Sequence, residues 1–188
     1  MKKPTSESLK IAKHIHTFIT EYAPVHKTAS AHTLKNYQTS LTLYLTFLEK
    51  EQNITPAKLG IDCFSLEYIE GWMKWIKESR GCSAQTCNIR LGALRTFMKY
   101  LSERDLTYLS AYEIACTIPS MKTPKRKISG LSKTAVKQLL EMPKQTKKTG
   151  RRDLAFMILL YSTAARLDEV LSLKMRDVHL DLKKPYIS

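Results

Sequence analysis

Glycine and proline are scarce in this 188-residue chain, at six and seven residues. With 43% hydrophobic and 26% charged residues beside them, collagen-like, elastin-like and disordered chains are excluded, and the composition is that of a globular protein. Acidic side chains are also short: 17 Asp and Glu stand against 31 Lys and Arg, a formal net charge of +14. A surplus of that size calls for a polyanion. Cysteine is limited to Cys63, Cys82, Cys87 and Cys116. With no secretory signal ahead of them, reduced and mostly buried thiols in a cytoplasmic protein are expected in place of a disulfide framework. No pair has zinc-ligand spacing, so no metal is expected. The longest apolar run, Leu154 to Tyr161, is far below the ~20 residues of a membrane span, and no membrane association is expected.

The positive charge is uneven. Residues 1 to 120 hold 15 basic and 11 acidic side chains, for +4, and residues 121 to 188 hold 16 and 6, for +10. It is densest in Lys122-Thr123-Pro124-Lys125-Arg126-Lys127 and again from Lys144 to Arg152. Such runs repel themselves when unpartnered and release counterions on a phosphate backbone. The first run is also a boundary, because Pro119 and Pro124 interrupt the helical pattern and Ser129-Gly130 precedes a new apolar segment. The expected organisation is a helical domain over 1–118, a basic linker over 119–130 with Lys122, Lys125, Arg126 and Lys127 lying along DNA, and a second domain over 131–188.

Apolar residues recur at three- and four-residue steps in four segments of the first part, predicting helices. These are Ile11, Ile15, Phe18 and Tyr22; Leu34, Tyr37, Leu41, Tyr44 and Leu48; Leu66, Ile69, Met73 and Ile76; and Cys87, Leu91, Leu94, Met98 and Leu101. A short fifth helix is predicted at about Leu106 to Cys116. Trp72, Trp75 and the tyrosines read as core or boundary packing. The second and fourth helices open alike, on Ser30-Ala31-His32-Thr33 and Ser83-Ala84-Gln85-Thr86, and each Ser is a candidate N-cap. Just inside each start stand His32, Thr33, Lys35 and Asn36, then Gln85, Thr86, Asn88 and Arg90. Such donors and acceptors suit base edges and phosphates of a major groove, and Arg95 and Lys99 would continue toward the backbone.

The runs Ser30-x-x-Thr33-Leu34-x-x-Tyr37 and Gly81-x-Ser83-x-x-Thr86-x-Asn88-x-Arg90-Leu91-x-Ala93-Leu94-Arg95 resemble the core-binding domain of tyrosine recombinases, also called phage integrases. The resemblance covers most of residues 5 to 116. It implies a mainly α chain, a SAM-like bundle of four or five helices followed by the helical beginning of a catalytic domain. It also implies major-groove contact by His32, Thr33, Lys35, Gln85, Thr86 and Arg90.

In the second part, Ser132 is a candidate N-cap for a helix over Leu131 to Leu140, and Leu154 to Tyr161 is apolar all round, as a buried helix would be. Arg166 follows in a turn of small residues. A guanidinium stays charged, so it either pairs, with Glu169 one turn on, or binds an anion. The pattern Thr163-x-x-Arg166-x-x-Glu169-x-x-x-Leu173-x-x-x-Asp177 resembles the box that carries the first catalytic arginine of the same family. The resemblance implies that Arg166 donates to the scissile phosphate, with Glu169 as its orienting support. The family usually has Gly where this chain has Ala164. If the turn requires a positive φ, Ala is strained there by roughly 1 kcal/mol.

The family cleaves DNA through a tyrosine, without metal, nucleotide or other cofactor, and works as a tetramer on double-stranded DNA. It also requires a lysine on a β-hairpin and a His-x-x-Arg motif. His14, His16, His26, His32 and His179 are followed three residues on by Thr17, Ile19, Ala29, Lys35 and Leu182, so none makes that motif. Lys183 to Ser188 resembles the first strand of the hairpin, and Tyr186 lies too near the arginine box to be the nucleophile. The expectation is a chain that binds DNA without cleaving it, either a piece of an integrase or a naturally truncated reading frame. Two alternatives remain at this point: a non-catalytic relative that occupies and blocks recombination sites, and a basic helical protein that binds nucleic acid unspecifically.

Overall fold

The computed structural model describes residues 3–124, 129–179, 184, 186 and 187. The chain divides into two compact units, Met1–Lys125 and Arg126–Ser188, and is mainly α. The first unit contains α1 (Ser6–Thr17), α2 (Ala23–His26), α3 (Ala31–Gln52), α4 (Leu66–Glu78), α5 (Ala84–Ser102) and α6 (Leu109–Thr117). Between α1 and α2, Phe18–Tyr22 forms a π-helical turn in which the Ala23 N–H donates to the Phe18 carbonyl. The wider turn carries the helix up to Pro24, which has no N–H to give. It also seats Phe18 wholly inside, its ring edge-on to Tyr37 and Phe97 at 5.4 Å.

The predicted stripes converge. Ile11, Leu41, Tyr44, Leu48, Ile69, Met73, Ile76, Leu91, Leu94, Met98 and Leu101 are all buried, whereas Leu66 faces solvent. Trp72 is buried edge-on to Tyr44, and the Tyr44 hydroxyl donates to the Cys63 carbonyl at 2.6 Å. Trp75 is half-buried and donates through Nε1 to Glu51 at 2.9 Å, so both tryptophans are packing residues. Cys63 and Cys87 are buried, but Cys116 is exposed, contrary to the expectation of a buried thiol. The chain reverses after α4 through Gly81 at φ +62, a left-handed conformation that costs glycine nothing. Ser83 then caps α5, its Oγ accepting from the Thr86 N–H at 3.2 Å.

The second unit contains α7 (Lys133–Glu141), α8 (Lys148–Thr163), α9 (Leu167–Ser172), β1 (Val178–His179) and β2 (Tyr186–Ile187). Ser132 caps α7 as expected, accepting from the Ala135 N–H at 3.1 Å. Tyr186–Ile187 is a strand, as expected of that segment, and pairs antiparallel with β1 so that Val178 faces Ile187 and His179 faces Tyr186. One expectation is corrected. The apolar stretch of α8 is not enclosed: Ile158 is 46% and Tyr161 61% exposed. Among the described residues α8 packs on α7 and α9, too few elements to cover a helix that is apolar on every side. Among the described residues no helix is long and apolar enough to cross a membrane.

Candidate nucleic-acid interface and arginine site

The last turn of α8 closes with the Ala164 N–H donating to the Leu160 carbonyl at 3.0 Å. Thr163 Oγ1 donates to the Leu159 carbonyl at 2.7 Å and accepts from the Ala165 N–H at 3.2 Å. Ala164 itself sits at φ +53, ψ +21. The turn therefore does require the left-handed conformation, and Ala holds it at a cost of about 1 kcal/mol relative to Gly. Arg166 returns to extended backbone, φ −70 and ψ 150, immediately before α9.

Glu169 reaches back from the first turn of α9. Its Oε2 accepts from the Arg166 backbone N–H at 2.8 Å and its Oε1 from Arg166 Nη1 at 2.9 Å. Both bonds favour the ionised carboxylate, the backbone bond first and the side-chain bond second, and hold the Glu169 carboxyl below the usual glutamate range. The Arg166 side chain is 87% exposed, so this pair adds little stability. Its effect is on orientation: one edge of the guanidinium is tied, and its remaining donors meet nothing among the described residues. A planar fork held this way can donate to two oxygens of a phosphate. Among the described residues no group of three His, Cys, Asp or Glu stands together as metal ligands.

In the first unit, His32 and Lys35 on α3 and Gln85 on α5 are exposed, and Thr33, Thr86 and Arg90 are half-buried. The two helix starts differ in one respect from expectation. Ser30 occupies the N-cap position of α3 without a side-chain capping bond, its own N–H donating to Thr28 Oγ1 at 3.0 Å. Arg90 has its Nε buried without a hydrogen-bond partner. Lys77, at the end of α4, was not marked by any sequence pattern. Burial pushes the Cys87 thiol up, and the charges of Arg90 and Lys77 both pull it back.

Two polar residues of α5 are engaged elsewhere. Asn88 donates through Nδ2 to the Met121 carbonyl at 2.9 Å and accepts the Met121 N–H on Oδ1 at 2.8 Å. Arg95, expected at the DNA backbone, donates through Nε to the Ala115 carbonyl at 2.8 Å and through Nη2 to that of Ile118. That expectation is corrected: the Arg95 guanidinium satisfies carbonyls at the end of α6 that a helix leaves unpaired. Lys99 is exposed and 3.9 Å from Glu103, one turn on. Lys122 is exposed, and Lys125, Arg126 and Lys127 lie outside the described residues.

Comparison with known proteins bears on the same regions. Residues 19–105 match the family described as phage integrase, N-terminal SAM-like domain. Over 168 residues the chain is 25% identical to the integrase/recombinase y4rC of Sinorhizobium fredii, covering 89% of this chain and 51% of that protein. Over 162 residues it is 28% identical to tyrosine recombinase XerC of Bacillus subtilis, covering 85% and 50%. Over 163 residues it is 30% identical to tyrosine recombinase XerD of Listeria monocytogenes, covering 84% and 50%. The chain thus spans about half the length of these relatives. No solved structure matches it. The bundle built on α3 and α5 thus matches the phage integrase N-terminal SAM-like family, and the chain is similar over most of its length to integrases and tyrosine recombinases.

Proposed function

We infer that this chain acts in site-specific DNA recombination, binding duplex DNA through its first unit and presenting Arg166 to a scissile phosphate from its second. Residues 1–118 are the DNA-binding domain, 119–130 a basic linker along the backbone, and 131–188 the opening of the catalytic domain. The first turns of α3 and α5 enter the major groove, with His32, Thr33, Lys35, Gln85, Thr86 and Arg90 at base edges and phosphates. Lys99 and Lys122 lie closer to the backbone, with Lys125, Arg126 and Lys127. The observation that carries this reading is the exposed Arg166, tied along one edge by Glu169 and open on the other.

In this role Arg166 offsets negative charge that grows on the non-bridging phosphate oxygens in the transition state. Glu169 positions it and takes no part in bond making. These 188 residues hold no His-x-x-Arg, and Tyr186 is stacked on His179 at 4.4 Å between ring centres. A phosphoryl transfer without nucleophile and general acid does not proceed, so the chain alone binds DNA and leaves it uncut. The complete enzyme would assemble as a tetramer on two sites in the cytoplasm.

A gel-shift series in rising salt tests the binding, the expected result being a steep loss of affinity. A nicked suicide duplex tests the chemistry, where a covalent protein–DNA adduct would overturn the reading. Joined to the C-terminal half of a full-length relative, the chain is expected to lose about 100- to 1000-fold in strand cleavage on Arg166→Ala, while duplex affinity changes little.

A further inference from the structure

Between α7 and α8 the chain makes a turn most of whose cations form no ion pair among the described residues. The Lys147 N–H donates to the Lys144 carbonyl at 3.1 Å, and the turn folds against Gly150 in the first turn of α8. A Cβ on Gly150 would lie 2.0 Å from the Lys144 carbonyl oxygen, so only glycine permits the approach. The consequence is that Lys144, Lys147, Lys148 and Arg151 are gathered at one end of one helix. All four are exposed, and none makes an ion pair among the described residues. Arg152 differs, its guanidinium donating to Asp153 at 2.9 and 2.7 Å.

Stability does not explain the cluster. The start of a helix is its positive end, where cations are repelled, and Lys147 and Arg151 are like charges four residues apart. Lys147, at the N-cap position, makes no side-chain capping bond. Four unpaired cations spread over a turn match an array of phosphates better than a single small anion. We propose that the Lys144–Arg151 turn is a second contact on the phosphate backbone of duplex DNA, independent of base sequence and separate from the helix starts of the first unit. The proposal rests on the DNA-binding reading above.

The test uses the whole 188-residue chain and a labelled mixed-sequence duplex, with affinity measured by fluorescence anisotropy across a salt series. One variant combines Lys144→Gln, Lys147→Gln, Lys148→Gln and Arg151→Gln. A control removes the same charge from exposed positions of the same unit, through Lys133→Gln, Lys137→Gln, Lys174→Gln and Lys184→Gln. Circular dichroism checks that both stay folded. The cluster variant is expected to bind more weakly than the control and to lower the slope of log K against log salt by about 0.9 for each phosphate it no longer neutralises. Coincident slopes for the two variants, with the unmodified chain still binding, would overturn this contact and leave the wider reading standing. An unmodified chain without duplex affinity would overturn both. Loss of binding to phosphatidylserine vesicles with duplex affinity unchanged would assign the cluster to a membrane surface and overturn the proposal.

Discussion

The two units are written in the same helical periodicity and end with very different interiors. In the first, stripes from α1, α3, α4, α5 and α6 meet and enclose Trp72, Phe97, Leu91 and Leu94 completely. In the second, Val170 is the one buried apolar residue among those described, while Met142, Tyr161, Leu171 and Met175 are largely exposed. A unit of this size encloses proportionally less of its surface than a larger one. The charge runs the other way, +4 up to residue 120 and +10 beyond it. An apolar face says where a helix can be covered and leaves open whether it is. The first unit is organised around its interior, the second around what its surface meets.

The sharpest test of that contrast is truncation in each unit. Phe97→Ala is expected to cost about 3–5 kcal/mol, because the ring is fully buried against Phe18 and Tyr100. Leu171→Ala, at a side chain 63% exposed, is expected to stay within about 0.5 kcal/mol. Denaturant titration measures both, and equal losses would break the comparison. A smaller effect of opposite sign is expected at the arginine turn. Ala164→Gly relieves the left-handed strain and is expected to stabilise the second unit by about 1 kcal/mol, read as a higher midpoint of thermal unfolding. A destabilised variant would mean that the turn does not adopt a positive φ.

The smallest effect is a pH dependence confined to α9. The folded-state pKa of Glu169 is lowered by its bonds to Arg166. The stabilisation is therefore fully present above the ordinary glutamate range and is lost as pH falls through the lowered value. The Arg166 amide, followed by NMR in acid below about pH 4, is expected to shift as its acceptor is protonated. Glu169→Gln should abolish that titration while leaving the signals of α3 and α5 unmoved.

Much of the arginine site was legible in the residue order, because its determinants are local. Thr163, Ala164, Arg166 and Glu169 lie within seven residues, and each of their bonds links residues two to four positions apart, so the bonds follow from spacing and from the demands of a helix end. Ser83 and Ser132 were readable as caps for the same reason. Ser30 was not, since the Thr28 hydroxyl next to it takes its N–H and its own side chain stays out of the cap. The face of α5 was harder. Asn88 and Arg95 look like outward polar residues in a helical projection, yet they hold Met121, Ala115 and Ile118, from 20 to 33 positions away.

The residue sequence by itself determined the helices, their apolar faces, the excess of positive charge and the pairing of Arg166 with Glu169. Each of these depends on neighbours within about one helical turn. Only the tertiary structure decided which polar side chains remained free for a ligand, that Asn88 and Arg95 are spent on Met121, Ala115 and Ile118, and that α8 stays partly uncovered. Those outcomes depend on which segments come to lie against each other, and a periodicity carries no information about what stands opposite it.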